Sequence, residues 1–240
     1  MIEGGSVIIT DFEDVWGNDN QMGLGEHAVR IHAPPLIFDK RGNVLRWVNF
    51  ESPTESYRKS GTVYRSIDRC MTGDFSLKMF SDEFTEAVCA IKTNDYHNEK
   101  MGIQCVFASE SGTGGVEINF LKYVDGYAHS FLLLLRLNSR NLQIRSNDGP
   151  VGQSYYIYFD QVASDIEFTD FSTMKLIIDL ETNEYIEALV FGKSYDLRGY
   201  QSYTYCSPSL GELTAGVTVK GTSYGDITCY VDNLILTNNE

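Results

Sequence analysis

Short β-rich segments separated by turn residues run from one end of this chain to the other, and that succession leaves it few folds. The segments are residues 7–9, 62–64, 75–80, 102–107, 116–123, 130–137, 142–145, 155–159, 174–180, 185–191, 216–220 and 227–236, most of them rich in β-branched and aromatic side chains. Such side chains fit a pleated, half-buried surface. Asp125-Gly126 and Asp148-Gly149 suit turns that need positive φ, residues 138–141 join two strands tightly, and residues 180–185 read as a further short hairpin. Helical spacing is confined to residues 81–90, which read equally as a loop running into a strand. Strands this close together, without crossover helices, predict stacked or closed antiparallel sheets rather than a parallel α/β sheet. The least regular stretch is 17–53, interrupted by His32-Ala33-Pro34-Pro35. A segment of that kind lines a site or covers a sheet edge. With no linker, repeat or low-complexity tract, the expectation is a two-sheet antiparallel β-sandwich forming one domain over residues 1–240. A chain of this length buries about 70–75% of its unfolded surface, so it needs neither disulfide nor metal merely to fold.

Charge narrows the partners. The sequence carries 33 Asp and Glu against 19 Lys and Arg, a net charge of −14. That balance argues against nucleic acid, which needs a basic surface, and against an anionic membrane surface. Neutral or cationic ligands and divalent metals remain compatible. The five cysteines, Cys70, Cys89, Cys105, Cys206 and Cys229, show no CxxC spacing and read as buried thiols rather than a disulfide framework or zinc site. Met1-Ile2-Glu3-Gly4-Gly5 lacks the basic start and apolar run of a signal peptide, so the expected location is cytoplasmic, or secreted if a signal has been trimmed. The longest apolar run, residues 131–135, is too short to span a bilayer.

Acidic and apolar residues alternate near both ends. Thr10-Asp11-Phe12-Glu13-Asp14 is answered by Tyr230-Val231-Asp232-Asn233-Leu234-Ile235-Leu236. In extended chain that spacing sends carboxylates to one face and hydrophobes to the other, as expected of first and last strands that meet. With Trp16, the Gly73-Asp74-Phe75-Ser76-Leu77-Lys78 strand and the closing Val231-Asp232-Asn233-Leu234, the pattern resembles the jelly-roll carbohydrate-binding modules. The hairpin from Lys175 to Tyr185, followed by Phe191-Gly192-Lys193-Ser194-Tyr195-Asp196-Leu197, is similar to the equivalent hairpin of laminin-G and concanavalin-like lectin and glucanase folds. The resemblance implies a jelly-roll, concanavalin-like sandwich and glycan binding. It also implies a structural calcium on Asp11, Glu13 and Asp232, with backbone carbonyls near Gly73. Calcium accepts six to eight such oxygens, and three neighbouring acids without a cation would repel one another.

Catalytic patterns fare less well. Gly221-Thr222-Ser223-Tyr224-Gly225 has the Gly-x-Ser-x-Gly form, but a strand follows it and the last histidine, His129, precedes it. The Ser, acid, His order of a hydrolase elbow is therefore excluded, leaving a hairpin loop. Asp165-Ile166-Glu167-Phe168-Thr169-Asp170 resembles the Glu-x-Asp-x-x-Glu strand of concanavalin-like glucanases with the acid types exchanged. A retaining glycosidase needs its carboxylates about 5–5.5 Å apart, so exchanged lengths favour surface charge. His27, His32, His97 and His129 show no ligand spacing, and Gln143 with Arg145 share one face of a strand, an arrangement that serves an acidic sugar but more often decorates a solvated sheet.

Fifteen tyrosines supply the remaining signal. Sugar sites stack apolar C–H faces on aromatic rings and take the hydroxyls with flanking polar groups. The candidate ligand-binding residues are Trp47, Tyr123, Tyr127, His129, Gln143, Arg145, Tyr156 and Tyr158, on a concave sheet face. Alternation puts Tyr156 and Tyr158 on one side and Tyr155 on the other. Non-catalytic binding of an oligo- or polysaccharide is the expected role. The alternatives are a glycoside hydrolase or polysaccharide lyase in the same groove, and a structural or assembly module without a small ligand.

Overall fold

A computed structural model describes residues 41–52, 57–93, 99–147, 155–208, 211–223 and 225–240. Among these residues there is no helix, and two antiparallel sheets account for all sixteen strands. The first sheet contains β1 (Asn43–Val48), β3 (Thr62–Ser66), β4 (Ser76–Ser81), β6 (Lys100–Gly112), β11 (Ser172–Asp179), β12 (Glu184–Val190), β13 (Lys193–Asp196) and β16 (Ile227–Asn238). The second contains β2 (Arg58–Ser60), β5 (Glu86–Thr93), β7 (Gly115–Val124), β8 (Tyr127–Arg136), β9 (Asn141–Ser146), β10 (Tyr155–Gln161), β14 (Tyr203–Cys206) and β15 (Glu212–Lys220). Their orders are β13-β12-β11-β6-β16-β4-β3 and β10-β9-β8-β7-β15-β5-β2. No helix of the described residues is long and apolar enough to cross a membrane.

Period-two alternation builds one shared core. Ile103, Cys105 and Phe107 of β6, Leu176 and Ile178 of β11, and Leu234 and Leu236 of β16 face Val116, Ile118 and Phe120 of β7, Phe131, Leu133 and Leu135 of β8, and Val217 of β15. All are fully buried, each contributing roughly 1.5–3 kcal/mol where the side chain is large. Asp125 and Gly126 both take positive φ between β7 and β8, as do Phe191 and Gly192 between β12 and β13. That is the geometry whose twist matches an antiparallel hairpin.

Each sheet contains a fork. One edge of β16 pairs with β4 over Ile227–Val231 and with β1 over Leu234–Asn238, and its other edge pairs with β6. One edge of β8 pairs with β14 over Tyr127–Ser130 and with β9 over Leu133–Leu135. Backbone groups in such a gap lose their ladder partners, and a buried donor must be answered elsewhere. At the second fork Tyr185 reaches across the core from β12. Its hydroxyl accepts from Leu132 N–H at 2.8 Å and donates to the Arg145 carbonyl at 2.6 Å.

Residues 81–90 resolve into a turn and a strand. The Asp82 carboxylate accepts from Phe84 N–H, Thr85 N–H and the Thr85 hydroxyl, and β5 begins at Glu86. Within the irregular 17–53 stretch, Asn43–Val48 is a strand. Asp165, Glu167 and Asp170 lie exposed in the loop between β10 and β11 rather than on a strand. Thr222 and Gly225 exchange backbone hydrogen bonds, so the Gly-x-Ser-x-Gly stretch is a tight loop between β15 and β16. Cys89, Cys105 and Cys229 are buried, but Cys70 is half-buried and Cys206 exposed, and none is in a disulfide. The 7–9 strand, Asp11, Glu13, the Asp148-Gly149 turn, His27, His32 and His97 lie outside the described residues.

Candidate functional site

The outward face of the second sheet gathers polar and aromatic side chains in a pattern fixed by strand register. In β9, Leu142 and Ile144 enter the core, so Gln143 and Arg145 point outward. In β10, Tyr156 pairs with Arg145 and Tyr158 with Gln143, which puts both tyrosines on that face. Tyr158 is 54% exposed and Tyr156 37% exposed, the range open to a stacking ligand. Arg136 of β8 donates from Nε to Gln143 Oε1 at 3.3 Å, and its guanidinium lies 5.8 Å from the Tyr156 ring centre. The Arg145 guanidinium lies 4.0 Å over the ring of Tyr203 in β14, and Tyr203 neighbours Tyr205 at 5.9 Å. Tyr123 of β7 shares the face and interacts with Tyr205 through its hydroxyl.

Glu117 of β7 lies within this array. It is 6% exposed, and its carboxyl makes no hydrogen bond among the described residues. Burial pushes its carboxyl up to about 7; the Glu86 charge adds to that, while Lys220, Arg136 and Arg145 pull the other way. Burial also raises the Tyr156 phenol, and the Glu117 charge reinforces the effect. Lys220 is tied to Glu86 on the neighbouring strand, which holds its ammonium above the ordinary value. The face therefore holds a buried carboxyl beside the Glu86–Lys220 ion pair, two guanidiniums, the Gln143 amide and several phenols.

The structure brings Tyr123, Gln143, Arg145, Tyr156 and Tyr158 together, and separates the other three candidates from them. Tyr127 and His129 have the parity of Phe131 and Leu133, so they belong to the inner side, at the end of the sandwich. There His129 Nδ1 meets the hydroxyls of Ser202 and Thr204 at 3.3 and 3.1 Å, and burial lowers its pKa. Beside it the buried Lys122 donates to the Leu180 carbonyl at 2.6 Å, pinning one sheet to the other. Trp47 lies on the other sheet, packed on Val44, Val106 and Ile235, with its indole N–H donating to Asn233 Oδ1 at 2.7 Å. Sequence reasoning missed Glu117, Arg136, Tyr203 and Tyr205. An acid alternating with the apolar Val116, Ile118 and Phe120 was the one signal available.

Asp232 is the single described acid of the expected calcium set. It has no partner on β6, because a bulge between Val231 and Asn233 sets it aside at the first sheet's fork. Its Oδ2 accepts from the Met71 and Thr72 amides, and its Oδ1 from the Thr72 hydroxyl and Asn233 Nδ2, each at 3.1 Å. Burial outweighs these donors and pushes the carboxyl up to about 6. Donors surround this carboxylate where a cation shell would place oxygens, and no three His, Cys, Asp or Glu side chains cluster as metal ligands among the described residues.

No protein-family model matches the sequence, and no curated protein matches it. Solved structures do match in three dimensions. The chain is similar to the carbohydrate recognition domain of Emp47p, at 14% identity and a TM-score of 0.51, over 80% of this chain and 92% of that one. Lectin I-B4 from Griffonia simplicifolia in its metal-free form matches at 11% identity and a TM-score of 0.53, over 80% of this chain and 97% of that one. A carbohydrate esterase of Shiga toxin-encoding bacteriophage phi24B matches at 12% identity and a TM-score of 0.50, over 83% of this chain and all of the other. Identities this low speak to fold alone, and the fold is the concanavalin-like β-sandwich of the lectins.

Proposed function

We propose that this protein binds an oligo- or polysaccharide, without catalysis, on the outward face of its second sheet. The observation that carries the reading is the convergence of Tyr156 and Tyr158 with Gln143, Arg136 and Arg145 on adjacent strands. Exposed rings offer stacking planes, and the amide and guanidinium groups beside them match sugar hydroxyls. The lectin fold and the carbohydrate-binding proteins among the similar structures support it. A glycan array or affinity gel is expected to detect binding that Tyr156→Ala weakens about tenfold, since one lost stacking ring amounts to about 0.5–1.5 kcal/mol beyond its area. Trp47→Ala, on the opposite sheet, is expected to lower the melting temperature and leave affinity intact. A uniformly flat array overturns the reading.

Calcium is a separate matter. An ion shared by Asp11, Glu13 and Asp232 would have to displace the Thr72 and Asn233 donors from Asp232 Oδ1. Melting in excess EDTA decides the point. A drop of several degrees supports the ion, and an unchanged melt assigns Asp232 wholly to its hydrogen-bonded tie.

A further inference from the structure

The chain is strongly acidic, with 33 carboxylate residues to 19 basic ones, so what answers each guanidinium is informative. Elsewhere Arg41 pairs with Glu187, Arg65 donates to the Phe50 and Glu51 carbonyls, Arg69 to the Thr169 carbonyl, and Arg140 to the Ala163 and Ile166 carbonyls. On the outward face of the second sheet neither Arg136 nor Arg145 makes an ion pair among the described residues. Arg136 gives its Nε to the neutral amide of Gln143, and Arg145 is stacked on Tyr203 with its Nε buried and without a hydrogen-bond partner. An unanswered buried donor costs roughly 1–3 kcal/mol, which a ligand that supplies the acceptor recovers. The planar fork of a guanidinium matches a carboxylate in two parallel hydrogen bonds.

Building on the glycan-binding reading, we propose that the saccharide recognised here carries carboxylates, as a uronate-containing oligosaccharide does. Its carboxylate is taken by Arg145 with Arg136 beside it, and a sugar ring stacks on Tyr156 or Tyr158. Glu117 tunes that recognition. The charged and titratable groups around it are Glu86 of β5, Arg136 of β8, Arg145 of β9, the neutral phenol of Tyr156 in β10 and Lys220 of β15. A second anion arriving near Glu117 raises its pKa further above about 7, so binding takes up a proton. Affinity therefore rises as pH falls through that range, while a uronate, whose own pKa is far lower, stays charged.

Titration calorimetry on the full chain tests this with tetramers of galacturonate, glucuronate and mannuronate, each beside its carboxyl-reduced counterpart, and with a sulfated neutral tetramer. At least one acidic tetramer is expected to bind about tenfold or more tightly than its reduced form. Arg145→Gln erases that difference, and Arg136→Gln narrows it if the first variant does not fold. Affinity is expected to be greater at about pH 5.5 than at about pH 8, and Glu117→Gln removes that dependence. Equal binding of acidic and reduced tetramers, or an Arg136→Gln variant indistinguishable from the parent, overturns the inference and leaves glycan binding standing. Equal binding of the sulfated tetramer also overturns it, because charge alone then suffices. Neutral glycans that bind on an array while every acidic tetramer fails overturn it too, and failure of all glycans overturns the proposed function itself.

Discussion

Tyr185 shows how one side chain can hold a sheet open and whole at once. It is fully buried, stacks edge-on against Phe131 at 5.4 Å, and supplies the hydroxyl that the β8 fork needs. Asp232 does the equivalent work at the β16 fork for the Met71 and Thr72 amides. Tyr185→Phe keeps the ring and removes the oxygen, leaving one N–H and one C=O unanswered in the interior. The expected cost is about 1–3 kcal/mol. Urea unfolding is expected to show a lower midpoint with an unchanged slope, since the surface exposed on unfolding stays the same. An unchanged midpoint would remove the hydroxyl from this role. Because the Arg145 backbone carbonyl is one of its partners, the same plug also steadies the strand that presents the Arg145 guanidinium. Neither plug is legible in sequence. Tyr185 reads as one apolar residue of a strand, and Asp232 as an alternating acid, until register places each beside a gap.

Whole elements were more legible than their partnerships. β7, β9 and β11 declare themselves by alternation or by continuous apolar runs. β2, β13 and β14 do not, being edge or fork strands of three or four residues with little burial to enforce a pattern. β5 was hidden because an apolar run such as Ala87-Val88-Cys89-Ala90-Ile91 satisfies helical and strand spacing alike, and only its pairing with β15 chooses. The site divides along the same line. Alternation alone put Gln143 with Arg145 and Tyr156 with Tyr158, but their union depends on the register of β9 against β10 across the 147–154 connection. Tyr127 and His129 were grouped with them because residues 131–135 are apolar on both faces and conceal which parity points inward. Trp47 stood in a stretch with no readable period, so its sheet was not assignable.

At the scale of the molecule, the described core is continuous, and its outermost strands in sequence are neighbours in space. β1 pairs with β16 through contacts such as Trp47 with Ile235, and β16 lies between β6 and the β4–β1 edge. Long-range pairings of this kind incur loop-closure entropy before packing rewards them, so refolding is expected to be slow, on the order of milliseconds to seconds or longer. The net charge of −14 adds self-repulsion to the compact state. Neither effect divides the equilibrium transition, because apolar side chains of both sheets share the main cluster, and the first sheet adds only a small one around Val44, Val106 and Ile235. Scanning calorimetry at neutral pH is therefore expected to show one peak whose van 't Hoff and calorimetric enthalpies agree. At about 0.7 kcal/mol per residue, that enthalpy should be on the order of 170 kcal/mol near 60 °C. Two resolved peaks would instead mean that the chain is more than one cooperative unit, and the one-domain reading would fall.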